Sequence, residues 1–336
     1  MTSSSPAMRA AVVVEEAGSR RIELREVPRP APAEGELLVR VRAAGLNRAD
    51  LAMNVGHFRT AGAALAAAIP GVEFAGEVVE MGPAVQGFAV GDRVMAMGQG
   101  AFAEYARIHH RLVMRVPQKM DWAQAATAPV ALMTAHDALI TRAQLQRGES
   151  VLIQAASSGV GIVATQIARL KGARPVMGTS SSAAKLAALA AAAIAPDIGI
   201  DTSKEDTVEA VMAATDGHGA DVIIDMVAGA TADMHLRAAA LRGRIVNVGR
   251  MGGMRAEIDF DRLALRRLSL IGVTFRTRTI DEIADIVAAA SIEVLPDVAA
   301  GRLHWPIDKA FALIQAAEAY QWMRSNSHLG KLVLMP

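Results

Sequence analysis

Apolar residues follow two different patterns along the chain, and the change between them comes near Asp121. Before this point, short runs with strand-like alternation are separated by glycine and proline breaks. These runs are Ala10–Glu15, Ile22–Arg25, Leu37–Ala43, Glu73–Met81, Gly91–Val94 and Phe102–Ile108. Short strands at such close spacing predict a compact, twisted β-barrel.

After Asp121 the pattern changes to apolar strand-like runs that alternate with helical periods of about 10 to 15 residues. The strand candidates are Ser150–Ala155, Arg174–Thr179, Ile198–Asp201, Asp221–Val227, Gly243–Val248 and Leu268–Thr274. The helix candidates around them are Val160–Lys171, Ser182–Ala192, Lys204–Ala214, Ala230–Leu241 and Ile280–Ala290. This alternation predicts an α/β domain with a doubly wound parallel sheet over residues 125–300. Residues 301–336 end in a strand, Lys331–Met335, and are predicted to return to the first domain, 1–124.

The composition excludes several classes of protein. With no cysteine among 336 residues there is no disulfide, no thiolate nucleophile and no Cys-ligated zinc or iron–sulfur cluster. Lys and Arg total 35 against 34 Asp and Glu, and a net charge of +1 argues against a nucleic-acid partner. The longest apolar run, 186–196, has 11 residues, where a membrane span needs roughly 20. We therefore expect a cytoplasmic protein with no membrane segment.

A small-residue turn between a buried strand and a helix predicts a dinucleotide site. The segment runs from Val151 to Gly161, and its turn places backbone N–H groups at a helix N-terminus, where a pyrophosphate binds. The predicted contacts are Ala156, Ser157, Ser158, Gly159, Val160 and Gly161. The pattern is a relaxed form of Gly-x-Gly-x-x-Gly, and a tight turn of this kind can also be purely structural.

The end of the second strand of this domain indicates which dinucleotide is bound. An NAD site usually has a carboxylate there, about 20 residues after the glycine loop. Here Thr179, Ser181, Ser182 and Lys185 follow the strand, and no carboxylate comes before Asp197. Hydroxyls and a cation suit a 2′-phosphate, so we favour NADPH over NADH. In the alternative, Ser182 only caps the next helix and Lys185 is solvated.

Further cofactor contacts are predicted where later strands end. Val227, Val248 and Gly249 fall at carboxyl ends of parallel strands, where ligands collect. Ordinary strand-end packing is the alternative for the two valines, and Gly249 could equally be a turn glycine.

These segments, with others spread over nearly the whole chain, resemble the medium-chain dehydrogenase/reductase superfamily. Within it the chain looks like the zinc-free NADPH:quinone oxidoreductases of the ζ-crystallin type. The matching segments are Gly45–Asp50, Gly71–Gly76, Gly91–Val94, Gly100–Tyr105, Thr134–Ala135, Ala155–Gly161, Gly272–Arg276 and Ser325–Lys331. The resemblance implies a GroES-like catalytic domain and a Rossmann domain, with the active site in the cleft between them.

The resemblance also implies that no metal is used. Zinc-dependent relatives carry a Cys shortly after the third strand run and a His before the Glu of the Gly-x-Glu segment. Here these places hold Asn47 or its neighbours and Val72. Without a Lewis acid, the easier reaction is hydride addition to an acceptor that delocalises its own charge, such as a quinone or an α,β-unsaturated carbonyl. The alternatives are a reductase of one small conjugated acid or ketone in catabolism, and a non-catalytic NADPH-binding or structural protein.

Individual residues gain roles from the resemblance. Asn47 and Thr134 are placed near the nicotinamide, where a helix cap and a buried back-bonding hydroxyl are the respective alternatives. Phe275, Arg276, Asn326 and Lys331 are further cofactor candidates, against surface or loop positions as the alternative.

Two positions depart from the family pattern. Phe58 stands where many relatives have a pocket tyrosine, so it can stack on a flat substrate but cannot donate a proton. Thr202, a cofactor candidate, stands where relatives often place a tyrosine near the adenosine phosphate. The loop Gly56–Pro70 also looks longer than usual, which indicates a different pocket shape.

The sixth strand candidate, Leu268–Thr274, would form a long apolar edge of the sheet. An edge of this kind is prone to pairing with another chain. Because relatives pair this edge across a two-fold axis, the resemblance predicts a homodimer.

Overall fold

The computed structural model describes residues 6–16, 19–53 and 69–336. Residues 56–68, which include Phe58 and most of the Gly56–Pro70 loop, lie outside the described residues, and so do the predictions made for them. Within the chain, internal contacts define two units. The first unit comprises Met1–Val130, Arg278–Ile292 and Pro306–Pro336, and the second comprises Ala131–Thr277 and Glu293–Trp305.

The strands and helices of the described residues are as follows. The strands are β1 Ala7–Glu16, β2 Ser19–Pro28, β3 Glu36–Leu46, β4 Glu73–Met81, β5 Arg93–Met97, β6 Tyr105–His109, β7 Val113–Arg115, β8 Val151–Ile153, β9 Val176–Ser180, β10 Ile198–Asp201, β11 Ala220–Asp225, β12 Ala239–Asn247, β13 Ser269–Gly272, β14 Ile307–Ala312 and β15 Lys331–Met335. The α-helices are α1 Arg48–Met53, α2 Trp122–Ala126, α3 Pro129–His136, α4 Gly159–Leu170, α5 Ala183–Ala191, α6 Thr207–Ala214, α7 Ala232–Ala238, α8 Phe260–Leu265, α9 Ile280–Glu293, α10 Leu295–Ala299 and α11 Ala316–Arg324.

The first unit is built around a seven-stranded sheet in the order β14-β15-β3-β4-β5-β7, with β6 also paired to β3. Strand β3 is buried on both faces, which places it in the centre of the unit. Its carboxyl end lies beside β15, where Leu46 pairs with Leu332. The β3–β4 pairing places Ala44 opposite Phe74. The ends of three strands that are distant in sequence are therefore neighbours.

The second unit contains a six-stranded parallel sheet in the order β10-β9-β8-β11-β12-β13. Fully buried aliphatic side chains, such as Leu152 on β8 and Ile223 on β11, fill its core. The α/β fold with a parallel sheet is thus confirmed. The strand order reverses between β8 and β11, and in sheets of this kind a dinucleotide binds at that reversal, outside the carboxyl ends of the strands.

Most predicted elements differ from the structure only at their ends, but the sixth strand is clearly shorter. Strand β13 has four residues, Ser269–Gly272, instead of the seven of Leu268–Thr274. It pairs with β12 from Arg244 to Asn247, and β12 itself ends at Asn247. Within the described residues, β13 pairs with β12 alone, and it ends level with the end of β12.

Candidate functional site

The turn between β8 and α4 forms a tight cradle at a helix N-terminus. The hydroxyl oxygen of Ser158 accepts the N–H of Gly161 at 3.1 Å and so caps the 12-residue helix. Ala155 has a positive φ of 48°. A Cβ on Gly161 would lie 2.4 Å from the carbonyl oxygen of Ala155, so only glycine allows this close turn. The turn therefore fits a pyrophosphate bound to backbone N–H groups.

Strand β9 holds this turn in place from the side. The carbonyl oxygen of Thr179 accepts the N–H of Ala156 at 2.8 Å, and its hydroxyl accepts the N–H of Ala155 at 3.2 Å. The hydroxyls of Ser180 and Ser157 lie 3.4 Å apart. Thr179 is only 4% exposed, and its two hydrogen bonds hold the turn against β9.

Hydroxyls and a lysine gather where β9 and β10 end. The Ser182 hydroxyl accepts the N–H of Lys185 at 3.3 Å and caps α5, as the structural alternative proposed. Ser181 and Thr202 are exposed, and Lys185 is half-buried. The cap occupies one side of the Ser182 oxygen and does not conflict with a phosphate at the same helix start.

A carboxylate that ends β10 organises the next turn. Asp201 is 6% exposed, and its Oδ1 accepts the Ser203 hydroxyl at 2.7 Å and the Ser203 N–H at 3.1 Å. These hydrogen bonds lower the pKa of Asp201. The carboxylate is thus directed at its own turn.

The segments after β11 and β12 carry the next group of candidates. Val227, Val248 and Gly249 are all half-buried at these strand ends. A Cβ on Gly249 would lie 2.5 Å from the carbonyl oxygen of Met226, so glycine is required here by close backbone approach. Close backbone packing, and not a turn, therefore explains the glycine at position 249.

In the first unit, Asn47 belongs to a buried polar cluster. Its Nδ2 donates to Oε1 of Glu73 at 2.7 Å, and its Oδ1 accepts from Nζ of Lys331 at 2.7 Å. Lys331 also donates to Oε1 of Glu73, whose Oε2 accepts the N–H of Val130 at 2.9 Å. Lys331 is 4% exposed and Glu73 is fully buried. An ammonium and a carboxylate thus hold both ends of the Asn47 amide.

Asn47 does not cap α1 with its side chain, which was its structural alternative. Its backbone N–H instead donates to Oδ2 of Asp50 at 2.7 Å. Burial, reinforced by the negative charge of Glu73, raises the pKa of Asp50 from its ordinary 3.8 to about 7. Burial and the charge of Asp50 also raise the pKa of Tyr320 on α11.

The remaining candidates make other contacts. Thr134 is 7% exposed on α3. Phe275 and Arg276 follow β13, and the N–H of Arg276 donates to the Thr274 hydroxyl at 3.2 Å. Asn326 has a positive φ of 56° and accepts a hydrogen bond from Arg48. Cofactor contact by these residues stays a prediction.

Sequence reasoning missed Asp50, Glu73 and Ser180 in these clusters, and it also missed Asp225 and Asn247, where the Asn247 amide donates to the Asp225 carboxylate at 2.9 Å. Each lies inside or next to a segment whose pattern was noticed, but part of its environment comes from residues far away in sequence, such as the charge of Glu73 for Asp50 and the amide of Asn247 for Asp225. For two of them the sequence did carry a signal. Asp225 is a carboxylate directly after the apolar residues 222–224, and Glu73 is a carboxylate at the start of the strand run Glu73–Met81.

The described residues offer neither a metal site nor a membrane-spanning helix. In residues 6–16, 19–53 and 69–336, no three His, Cys, Asp or Glu side chains lie together in a way that could hold a metal ion. Within the same residues, none of the helices has the length and apolar character needed to cross a bilayer.

Comparison with known proteins identifies both parts of the chain. Residues 33–118 match the alcohol dehydrogenase GroES-like domain, and residues 159–290 match the zinc-binding dehydrogenase family. The GroES-like assignment of the first domain and the Rossmann-like assignment of the second are thereby confirmed.

Solved structures of the same architecture cover almost the whole chain. An alcohol dehydrogenase superfamily protein from Novosphingobium aromaticivorans is 30% identical, with a TM-score of 0.84, over 98% of this chain and 99% of that one. A Pseudomonas syringae quinone oxidoreductase is 28% identical, with a TM-score of 0.86, over 98% and 100%. A mycobacterial protein solved in complex with NADPH is 28% identical, with a TM-score of 0.84, over 98% and 100%.

Curated relatives are far larger proteins. Erythronolide synthase of Saccharopolyspora erythraea is 36% identical over 311 residues, which are 92% of this chain and 8% of that protein. A phenolphthiocerol/phthiocerol polyketide synthase subunit of Mycobacterium tuberculosis is 32% identical over 98% of this chain and 15% of its own length. The chain thus spans less than a fifth of the length of these polyketide synthases. Domain matches, solved structures and conserved architecture agree: the chain belongs to the medium-chain dehydrogenase/reductase superfamily.

Proposed function

We propose that the protein is an NADPH-dependent oxidoreductase that transfers hydride to a quinone or an α,β-unsaturated carbonyl without a catalytic metal. The observation that carries this proposal is the cluster around Glu73. The carboxylate of Glu73 is matched by the Lys331 ammonium and by donors from Asn47 and Val130. This cluster lies in the segments where zinc-dependent relatives carry their metal ligands. Its carboxylate is already neutralised by the buried ammonium of Lys331, which favours a reaction without a metal.

The second unit offers the residues that would hold NADPH. The pyrophosphate would lie on the N–H groups at the start of α4, and the 2′-phosphate near Ser181, Ser182 and Lys185. The nicotinamide supplies a hydride when the cofactor is bound. The solved NADPH complex of a mycobacterial relative supports this choice of cofactor.

Asn47 is the residue of the first unit best suited to contact the acceptor. Its amide has one N–H donor beyond the one given to Glu73, and both of its ends are fixed by buried charges. A donor held in this way can stabilise the negative charge that develops on an acceptor carbonyl oxygen. A quinone or enone spreads that charge over its conjugated system, so a hydrogen bond can suffice where an alcohol dehydrogenase needs a metal.

Oxidation of NADPH, followed by absorbance, tests the proposal directly. A quinone, an enone and an aldehyde are offered separately, before and after treatment of the protein with a chelator. We expect oxidation with the quinone or the enone, little with the aldehyde, and no effect of the chelator. Activity that is confined to the aldehyde, or is lost on chelation, would contradict the proposal. Tight NADPH binding without turnover on any acceptor would favour the non-catalytic alternative.

The choice of NADPH over NADH is tested by Lys185→Ala. Loss of the cation should weaken NADPH binding by roughly 10-fold or more, since a charge-assisted phosphate contact is lost, and should change NADH binding little. Lys204→Ala is the matched control, because the Lys204 ammonium already lies 3.7 Å from the Asp201 carboxylate. Equal weakening of NADPH and NADH in Lys185→Ala would refute the assignment of the 2′-phosphate.

We also infer a homodimer through the β13 edge of the Rossmann sheet, in a cytoplasmic protein. Large apolar side chains on and near this edge are exposed, with Leu270 at 49%, Phe260 at 74% and Leu265 at 72%. Exposed apolar side chains at a sheet edge are typical of an interface. Sedimentation at micromolar concentration should give a dimer, and a monomer there would contradict the inference.

A further inference from the structure

Asp225 ties together the two segments that follow β11 and β12. Its Oδ1 accepts the N–H of Val227 at 2.9 Å and that of Ala228 at 2.7 Å. Its Oδ2 accepts an N–H of the Asn247 amide at 2.9 Å. Its main-chain carbonyl oxygen accepts the N–H of Val248 at 2.7 Å. One residue at the end of β11 therefore contacts both neighbouring segments through side chain and backbone.

Asn247 completes the connection from the other strand. Its Nδ2 also donates to the carbonyl oxygen of Gly249 at 3.0 Å, and the N–H of Gly249 donates back to the carbonyl oxygen of Asp225 at 3.2 Å. The Asp225–Asn247 pair thus fixes the path of the chain directly after β11 and directly after β12. Asp225 is 4% exposed, which strengthens these hydrogen bonds.

The two segments pack backbone against backbone. Ala228 forms an isolated parallel bridge with Gly253, and a Cβ on Gly229 would lie 2.4 Å from the carbonyl oxygen of Gly252. Ala228 itself has φ 57° and ψ −157°, a conformation that residues other than glycine rarely adopt. The close backbone contact leaves the two segments little room to move, and the hydrogen bonds of Asp225 hold them in this position.

The strand order assigns these segments to one half of a dinucleotide. A sheet of order β10-β9-β8-β11-β12-β13 consists of two mononucleotide-binding halves, which meet between β8 and β11. The half formed by β8, β9 and β10 carries the phosphate turn and the hydroxyl cluster, so it takes the adenosine side. The half formed by β11, β12 and β13 is left for the nicotinamide side.

We propose that Asp225 is a positioning residue for the nicotinamide half of NADPH, acting through Val227, Val248 and Gly249. The inference rests on the proposed function and adds that the two halves of the cofactor are positioned by separate carboxylates. Asp201 has the corresponding place at the end of β10, where it shapes the turn that contains Thr202 and Ser203.

Equilibrium binding to the full chain tests this separation with two probes. NADPH carries both halves, whereas adenosine 2′,5′-bisphosphate carries only the adenosine side. In Asp225→Asn, the new amide oxygen can still accept from Val227 and Ala228, but its NH₂ group faces the NH₂ group of Asn247. We expect the Kd for NADPH to rise roughly 10-fold, as befits the loss of a buried charged hydrogen bond, and that for the fragment to change less than about 2-fold.

Two further variants keep the test decisive. Asn247→Ser removes the same connection from the opposite strand, so it should give the same selective loss if Asp225→Asn does not fold. Asp201→Asn is the matched control, and it should weaken both probes alike because both contain the adenosine side. A partly unfolded protein loses both probes equally, so the ratio of the two Kd values reports position and not stability.

The outcomes separate the inference from the function on which it rests. Equal loss of both probes in Asp225→Asn and Asn247→Ser, with NADPH bound normally by the unchanged protein, overturns the positioning role alone. Failure of the unchanged protein to bind NADPH overturns the proposed function and this inference with it.

Discussion

Glu73 in the first unit and Asp225 in the second are both buried carboxylates, at 0% and 4% exposure, but they are balanced in different ways. Glu73 faces the ammonium of Lys331. Asp225 faces neutral N–H donors of Val227, Ala228 and Asn247.

Among the described residues, the titratable side chain that lies beside Asp225 is a histidine and not a lysine. His235 lies with Nδ1 3.8 Å from Oδ2 of Asp225, and burial lowers its pKa, which favours the neutral ring. The comparison shows two ways to keep a carboxylate inside a protein. One uses a counter-charge, whose removal leaves a buried charge unpaired, and the other uses several dipoles, each of which contributes less.

The largest effect should come from removing the counter-charge. Lys331→Met leaves Glu73 buried without its cation, and we expect a loss of about 3 to 5 kcal/mol in the free energy of unfolding, measured by urea denaturation. Lys309→Met is the control, because the Lys309–Glu318 pair is exposed at 44% and 51% and should cost less than about 1 kcal/mol. If both substitutions lower the free energy of unfolding by the same amount, the Glu73 carboxylate does not depend on Lys331 as its counter-charge.

The next effect is the pH dependence that Asp50 adds to the same cluster. Its folded-state pKa of about 7 lies above its ordinary 3.8, so between these values the folded protein holds a proton that the unfolded chain releases. Stability from this group is therefore fully present below about pH 4 and is lost as pH rises towards 7.

Asp50→Asn removes this titration, and unfolding measured at several pH values isolates it. The difference in unfolding free energy between the unchanged protein and the variant should shift by about 2 to 3 kcal/mol from pH 5 to pH 8, in favour of the variant at the higher pH. The subtraction cancels the contributions of the other titrating groups, including His136, whose pKa is lowered by burial. A pH-independent difference would show that Asp50 does not titrate in this range.

The smallest effect concerns the strained backbone of Ala228, whose N–H donates to Asp225. Glycine adopts φ 57° and ψ −157° without cost, so Ala228→Gly should raise the free energy of unfolding by about 1 kcal/mol. Ala232→Gly is the control in helical backbone, where the same change should lower it by about 1 kcal/mol. Thermal unfolding of both variants checks the signs, and a loss of stability in Ala228→Gly would mean that the segment is not strained.

Local pattern was enough to predict the α/β architecture and the phosphate turn. Apolar periodicity predicted β4, β10 and β15 with the bounds that the structure has, because buried strands carry their own signature in sequence. Gly161 is required by its close approach to the backbone of Ala155, only six residues earlier, so its role was readable from the local sequence. The role of Thr179 as a support for the turn, by contrast, depends on how β9 lies beside β8.

The polar clusters could not be predicted in the same way. Asn47 and Lys331 were singled out as separate candidates, yet nothing in their local sequence indicates that they share Glu73 as a partner. The link between Asp225 and Asn247 depends on parallel pairing of β11 and β12, which places Asp225 opposite Asn247. Such partners are set by strand register, and register is fixed by the whole sheet and not by one segment.

The connection between Glu73 and Lys331 joins residues 258 positions apart, and that has a consequence for biosynthesis. While the chain emerges from the ribosome, Glu73 is made long before the lysine that neutralises it. Almost the whole second unit, Ala131–Thr277, is synthesised in that interval and has its own sheet and core. The second unit can therefore fold during translation, whereas the polar centre of the first unit can close only after Lys331 has left the exit tunnel.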